Sequence, residues 1–138
     1  MAKITFELFG NPKTLKRHRR RGGSKGHYDP SAGDKADFLA LAHQHRPDVL
    51  FKGPLEVCLT FTFIRPKSHY RTGKNCALLK ESAPNKYHAN NPDATNLAKF
   101  VEDALNGIFW KDDRQIADER IKKRWGTFGS VKVEVEEL

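Results

Sequence analysis

Hydrophobic and polar positions alternate from Lys3 to Phe9, with Ile4, Phe6 and Leu8 on one side and Thr5, Glu7 and Phe9 on the other. A period of two predicts a strand, and Gly10-Asn11-Pro12 ends it. The stretch that follows carries Gly22, Gly23 and Gly26 and no amphipathic period, which predicts a loop. Ser31 to His45 reads as a helix: Ser31 or Asp34 can cap it, Phe38, Leu39, Leu41 and Ala42 supply an apolar face, and Pro47 lies beyond its end. Leu55, Val57, Leu59, Phe61 and Phe63 then alternate with Glu56, Cys58, Thr60 and Thr62, the clearest strand in the chain. Residues 65–91 are polar and broken by Gly73 and Pro84, a loop of a length that is usually functional or disordered. After Pro92, Leu97, Phe100, Val101, Ala104, Leu105 and Ile108 recur at helical spacing. This predicts an amphipathic helix ending at Asn106-Gly107, with Asp93, Asn96, Lys99 and Asp103 along its polar edge. Extended segments follow over Gln115–Trp125 and Phe128–Glu136, the second marked by Val131, Val133 and Val135. The predicted order is β-α-β-loop-α-β-β without an internal repeat, an α+β class.

Composition narrows the picture. The chain has 138 residues, a length that fits one domain over 1–138. Its 38% hydrophobic residues, nine Phe among them, suffice for one core without staples. No apolar run approaches the roughly 20 residues needed to span a bilayer, and the opening MAKITFELFG alternates where an export signal would carry an apolar stretch. The expectation is an unexported, cytoplasmic protein. Cys58 and Cys76 lack a CxxC spacing, so both are expected as reduced thiols and zinc or disulfide scaffolds are disfavoured. A formal charge of +8 makes the surface field positive, which favours nucleic acid or an anionic membrane as partner. The charge is concentrated in two loops, at about 11–30 and 65–91. The first holds Lys13, Lys16, Arg17, Arg19, Arg20, Arg21 and Lys25. No amphipathic apolar face adjoins it, so a membrane surface is the weaker choice.

Acidic residues are therefore conspicuous where they recur. Asp93 opens the long helix and Asp112-Asp113 opens the segment after it. A strand returning along the helix would bring the two together, and a divalent cation is the most direct offset to their repulsion. Mg²⁺ takes oxygen ligands and completes its shell with water and phosphate oxygens, so a basic protein with a few convergent acids points to a phosphodiester. Each residue also has a bland reading. Asp93 would serve as a helix cap, Asp112-Asp113 as a turn, and Lys99 as a solvated position paired with Asp103 at i+4. Phe109, Trp110 and Trp125 are expected in the core; His18 and His27 sit among cations, unsuited to a metal, and His88 is an outside candidate.

The run from Asn91-Pro92-Asp93-Ala94-Thr95-Asn96-Leu97 through Lys99 and Asp103-Ala104-Leu105-Asn106-Gly107 to Phe109-Trp110-Lys111-Asp112-Asp113-Arg114-Gln115-Ile116 resembles the signature of the RusA family of Holliday junction resolvases. The resemblance extends to a short first strand, a Pro-containing turn, an Arg-rich loop and Tyr28 before a helix. It implies a RusA-like small mixed β-sheet packed with two main helices, and Mg²⁺ held by Asp93 and Asp113, with Asp112 beside them and Lys99 as the catalytic cation. One position departs: the family commonly has Asp where this chain has Thr95. Either Thr95 acts through water or caps the helix, or Asp112 or Asp103 supplies the missing charge. Asn96 remains in register.

What the resemblance implies is a nuclease that resolves four-way junction DNA by paired symmetric nicks, leaving 5′-phosphate and 3′-hydroxyl ends, encoded by bacteria, phages or prophages. Two-fold DNA is most simply matched by a homodimer, with both basic loops contacting phosphates. Two rival readings remain: a non-catalytic nucleic-acid-binding module, and a nuclease of the same chemistry acting on forks or flaps.

Overall fold

The computed structural model describes residues 2–14, 19–20, 27–28 and 30–138. Strands β1 (Lys3–Phe9), β4 (Leu55–Ile64), β5 (Ile116–Gly126) and β6 (Ser130–Glu137) form a sheet in the order β1-β6-β4-β5. β6 lies antiparallel to both β1 and β4, whereas β4 and β5 run parallel. The sheet is therefore mixed, as the resemblance implied. Helices α1 (Ala32–Ala42) and α2 (Ala94–Leu105) complete the α+β architecture. Within the stretch expected to be a loop, β2 (Arg19–Arg20) and β3 (His27–Tyr28) pair as a short antiparallel ladder. Among the described residues no helix is long and apolar enough to cross a membrane.

The core follows from the two periodicities. Phe6 and Leu8 of β1, Leu55, Val57, Leu59 and Phe61 of β4, and Val131, Val133 and Val135 of β6 are buried against the helices. The β-branched valines suit the pleated surface of a central strand. From α2, Leu97, Ala98, Phe100, Val101, Ala104 and Leu105 close over them. Full burial of a Leu or Phe side chain is worth about 1.5–3 kcal/mol, so this helix is held by its packing face. α1 contributes less: Ala42 is buried, Phe38 meets the Phe100 ring edge-on at 5.9 Å, and Leu41, expected on the apolar face, is 53% exposed. It points outward because α1 covers only the rim of the sheet beside β1 and α2.

Gly107, at φ +81°, ends α2 as expected. The helix stops at Leu105, so Ile108 belongs to the following turn. Phe109 and Trp110 are fully buried, and the Trp110 Nε1–H donates to Asn106 Oδ1 at 2.8 Å. Trp125, expected in the core, is only half-buried. It stacks on His88 at 4.0 Å and meets His69 edge-on at 4.9 Å.

That stack explains how the long loop is ordered. It contains 3₁₀ turns at Lys67–His69 and Gly73–Asn75, and its last part lies along the outer edge of β5. There His88 N–H donates to Lys123 O at 3.1 Å and Trp125 N–H donates to Lys86 O at 2.7 Å. A sheet edge left open would present unpaired backbone groups; here the chain that leads into α2 pairs with the part of that edge around Lys123–Trp125.

Candidate functional site

In the β4–α2–β5 crossover, the parallel β5 must run back along α2. One edge of the helix and the inner face of β5 therefore share a groove of about 530 Å³, lined by Asp93, Thr95, Asn96, Ala98, Lys99, Glu102 and Glu119. Asp93, Asn96, Lys99 and Glu102 fall three apart on an inclined row of α2, and all four line the groove. At about 1.5 Å rise per residue, Asp93 and Glu102 stand near opposite ends of this row.

The bland readings of the aspartates separate. Asp93 occupies the N-cap position of α2 in an extended conformation (φ −66°, ψ 141°), yet its side chain accepts no capping hydrogen bond. Its carboxylate opens on the groove instead. Asp112 is a true cap: it accepts from Arg114 N–H at 3.0 Å, and Gln115 Oε1 accepts in return from Asp112 N–H at 3.0 Å. That backbone bond holds the Asp112 carboxyl below its usual range, as expected for an acceptor that must stay charged.

Asp113 behaves in the opposite way. Burial, a hydrogen bond with Asp112, and the charges of Asp112 and Asp103 raise its pKa, with Lys99 opposing. Asp113 is thus an electrostatic neighbour of Lys99 and Asp103, and Lys99 is the residue it shares with the groove that Asp93 lines. Glu102 is pushed up to about 8, first by burial, then by a hydrogen bond to Glu119 and by the charges of Glu119, Asp113 and Asp103. At neutral pH the protonated Glu102 carboxyl donates to Glu119. Asp103, a candidate for the charge missing at Thr95, instead approaches Lys35 of α1 at 4.0 Å.

Glu102 and Glu119 were not among the residues singled out from the sequence. Glu102 lies three positions after Lys99 on the same helix edge, a spacing open to inspection; Glu119 joins it only because β5 pairs parallel to β4. His88 is buried and its Nδ1 accepts from Asn90 N–H at 3.2 Å. Burial and the Lys123 charge lower its pKa, so it remains a neutral packing residue in the aromatic stack.

Among the described residues, no three His, Cys, Asp or Glu side chains lie close enough to enclose a metal alone. The donor set nevertheless suits a hard dication: it is all carboxylate, and the pKa values of both Glu102 and Asp113 are raised by burial and by neighbouring acids, a negative potential that a cation would offset. Mg²⁺ needs only one or two carboxylates, with water and phosphate oxygens completing the shell.

Of the basic residues, Lys13 is exposed and shares a 410 Å³ hollow with Pro12, Thr14, Asp34, Phe63, Asn91 and Pro92. The root of the first basic loop thus borders the turn that delivers Asp93. Arg19 and Arg20 are described through their backbone in β2; Lys16, Arg17, Arg21 and Lys25 lie outside the described residues. In the second loop Lys67, Arg71, Lys74, Lys80 and Lys86 are exposed.

Comparison with known proteins adds two findings. A family model described as Endodeoxyribonuclease RusA matches residues 10–136. The chain is also 30% identical over 141 residues to the Bacillus subtilis (strain 168) protein named "Uncharacterized protein YqaN", covering 98% of this chain and 96% of that one.

Proposed function

This chain belongs to the RusA endodeoxyribonuclease family, and from that premise we propose that it nicks four-way junction DNA in a Mg²⁺-dependent reaction, acting as a cytoplasmic homodimer. One observation carries the reading: Asp93 holds the N-cap position of α2 without capping it, and its carboxylate opens on a groove bordered by Thr95, Asn96, Lys99, Glu102 and Glu119. Asp93 and Asp113 would hold the cation, with Asp112 orienting the turn that carries Asp113. The bound ion would supply a hydroxide-like nucleophile from water and polarise the scissile phosphate. Lys99 sits midway along the groove, where its ammonium offsets charge building on the phosphate oxygens. Thr95 leaves the groove one carboxylate short of the usual family pattern, and the Glu102–Glu119 pair at its far end adds negative potential. Lys13 and the two basic loops would track DNA backbone, so junction affinity should fall steeply with salt.

A two-fold junction calls for two equivalent sites, hence the homodimer. The test is cleavage of a synthetic four-way junction, a fork and a linear duplex with Mg²⁺ or EDTA, using the parent, Asp93→Asn and Asp113→Asn. Mg²⁺-dependent, junction-selective nicking is expected. Each variant should lose at least about 100-fold in rate while binding the junction as tightly or more so. A variant cutting at the parental rate removes that residue from the site. Equal cutting of fork and junction transfers the activity to replication intermediates, and binding without cutting leaves a DNA-binding module.

A further inference from the structure

We propose that Lys123 is the positioning residue that sets Asp93 for catalysis, an assignment that rests on the nuclease reading above. Lys123 lies in β5 opposite Phe61 of β4, on the face it shares with Glu119 and Ile121. Its Nζ donates to Asn90 O at 2.6 Å and to Pro92 O at 2.7 Å, and its own carbonyl accepts from His88 N–H at 3.1 Å. One residue therefore grips positions 88, 90 and 92 of the segment that ends at Asp93. Pro92 O belongs to the peptide plane that includes the Asp93 nitrogen, so holding that oxygen orients Asp93 from the N-terminal side. From the other side, Asp93 O accepts from Leu97 N–H at 3.1 Å. Both flanking peptides are pinned, while the carboxylate makes no capping bond.

Helix stability does not account for this lysine. A cation at a helix N-terminus faces the positive end of the dipole and is unfavourable there. The two carbonyls offset that penalty, and charge-assisted bonds of this kind are short and strong. Lys122 and Arg124, its neighbours in the chain, project from the other side of the strand, so the basic run conceals a single inward-facing lysine.

The experiment uses the full chain in four forms: parent, Lys123→Met, Lys123→Arg and, as control, Lys122→Met. Junction nicking is measured across a Mg²⁺ titration, junction affinity is measured in EDTA, and backbone hydrogen exchange is followed by peptide. Lys123→Met should lower kcat about 10–100-fold, as small misplacements of a reacting group do, and raise the half-saturating Mg²⁺ concentration. Its junction affinity in EDTA should stay within about twofold of the parent, because the positioning acts only once the cation is held. Exchange in residues 89–97 should quicken at least about tenfold while β6 stays protected, the mark of local opening. Lys123→Arg should recover part of each loss, and Lys122→Met should match the parent. If Lys123→Met does not fold, Lys123→Arg carries the same readouts.

Unchanged exchange at 89–97 overturns the proposal, as does a loss of nicking matched by an equal loss of affinity, which would make Lys123 a DNA contact. A parent that never nicks refutes the nuclease reading, and Lys123 is then judged by exchange alone: faster exchange upholds its grip on Asp93 and unchanged exchange removes it.

Discussion

Raising the pH should loosen this fold through Glu102. In the folded chain its pKa stands near 8 against an ordinary 4.5, because burial and the charges of Glu119, Asp113 and Asp103 oppose ionisation. Below 4.5 the folded and unfolded forms both hold the proton. Between 4.5 and about 8 only the folded form does, so stability falls as pH rises through that window and levels off above it. At about 1.36 kcal/mol for each unit of displacement, a fully dry site would lose nearly 5 kcal/mol. Glu102 is half-buried beside an open groove, and screening reduces the loss to about 1–2 kcal/mol. For a chain of 138 residues that corresponds to about 3–7 °C in melting temperature. Glu102→Gln keeps the shape of the protonated acid and cannot ionise. Thermal melts in EDTA from pH 5 to 9.5 should place the variant within about 1 °C of the parent at pH 5 and about 3–7 °C above it at pH 9. A gap that stays constant with pH, or reverses, would refute the electrostatic account of the groove.

Three further outcomes test the scaffold. Gln115 accepts from Lys111 N–H and Asp112 N–H and donates to Phe51 O and Gly53 O, at 2.8–3.1 Å. Gln115→Ala should therefore lower stability by about 2–4 kcal/mol in urea unfolding, and a loss below about 1 kcal/mol would show that water replaces these bonds. A Cβ at Gly129 would lie 2.8 Å from Asn11 Cα and 2.9 Å from Asn11 N, so Gly129→Ala should destabilise by about 1–3 kcal/mol. Gly33 has open space around it, and Gly33→Ala in α1 should instead stabilise by a few tenths to about 1 kcal/mol; similar melts for both variants would contradict the packing described.

How far the chain could be read in advance depends on whether a feature is written in one face of one element. β1, β4 and β6 each bury a single side, so alternating residues announce them, and α2 carries its apolar stripe and its glycine stop openly. The ordered run of Asp93, Lys99 and Asp113 was equally visible. Residue order left several things undetermined. β6 inserts between β1 and β4 although β5 precedes it in the chain. β5 has an interrupted pattern, because it lies at the sheet edge and only Ile116 and Ile121 pack on the core. Asp93 looks like a cap and does not cap, whereas Asp112, which reads as part of a turn, does. Glu102 meets Glu119, and Lys123 meets Asn90 and Pro92, across chain separations that local periodicity does not encode. Hydrophobic burial acts on each side chain against solvent and leaves its trace in the local pattern. A shared proton or an ammonium between two carbonyls exists only after distant strands have settled into register, so those contacts belong to the folded chain.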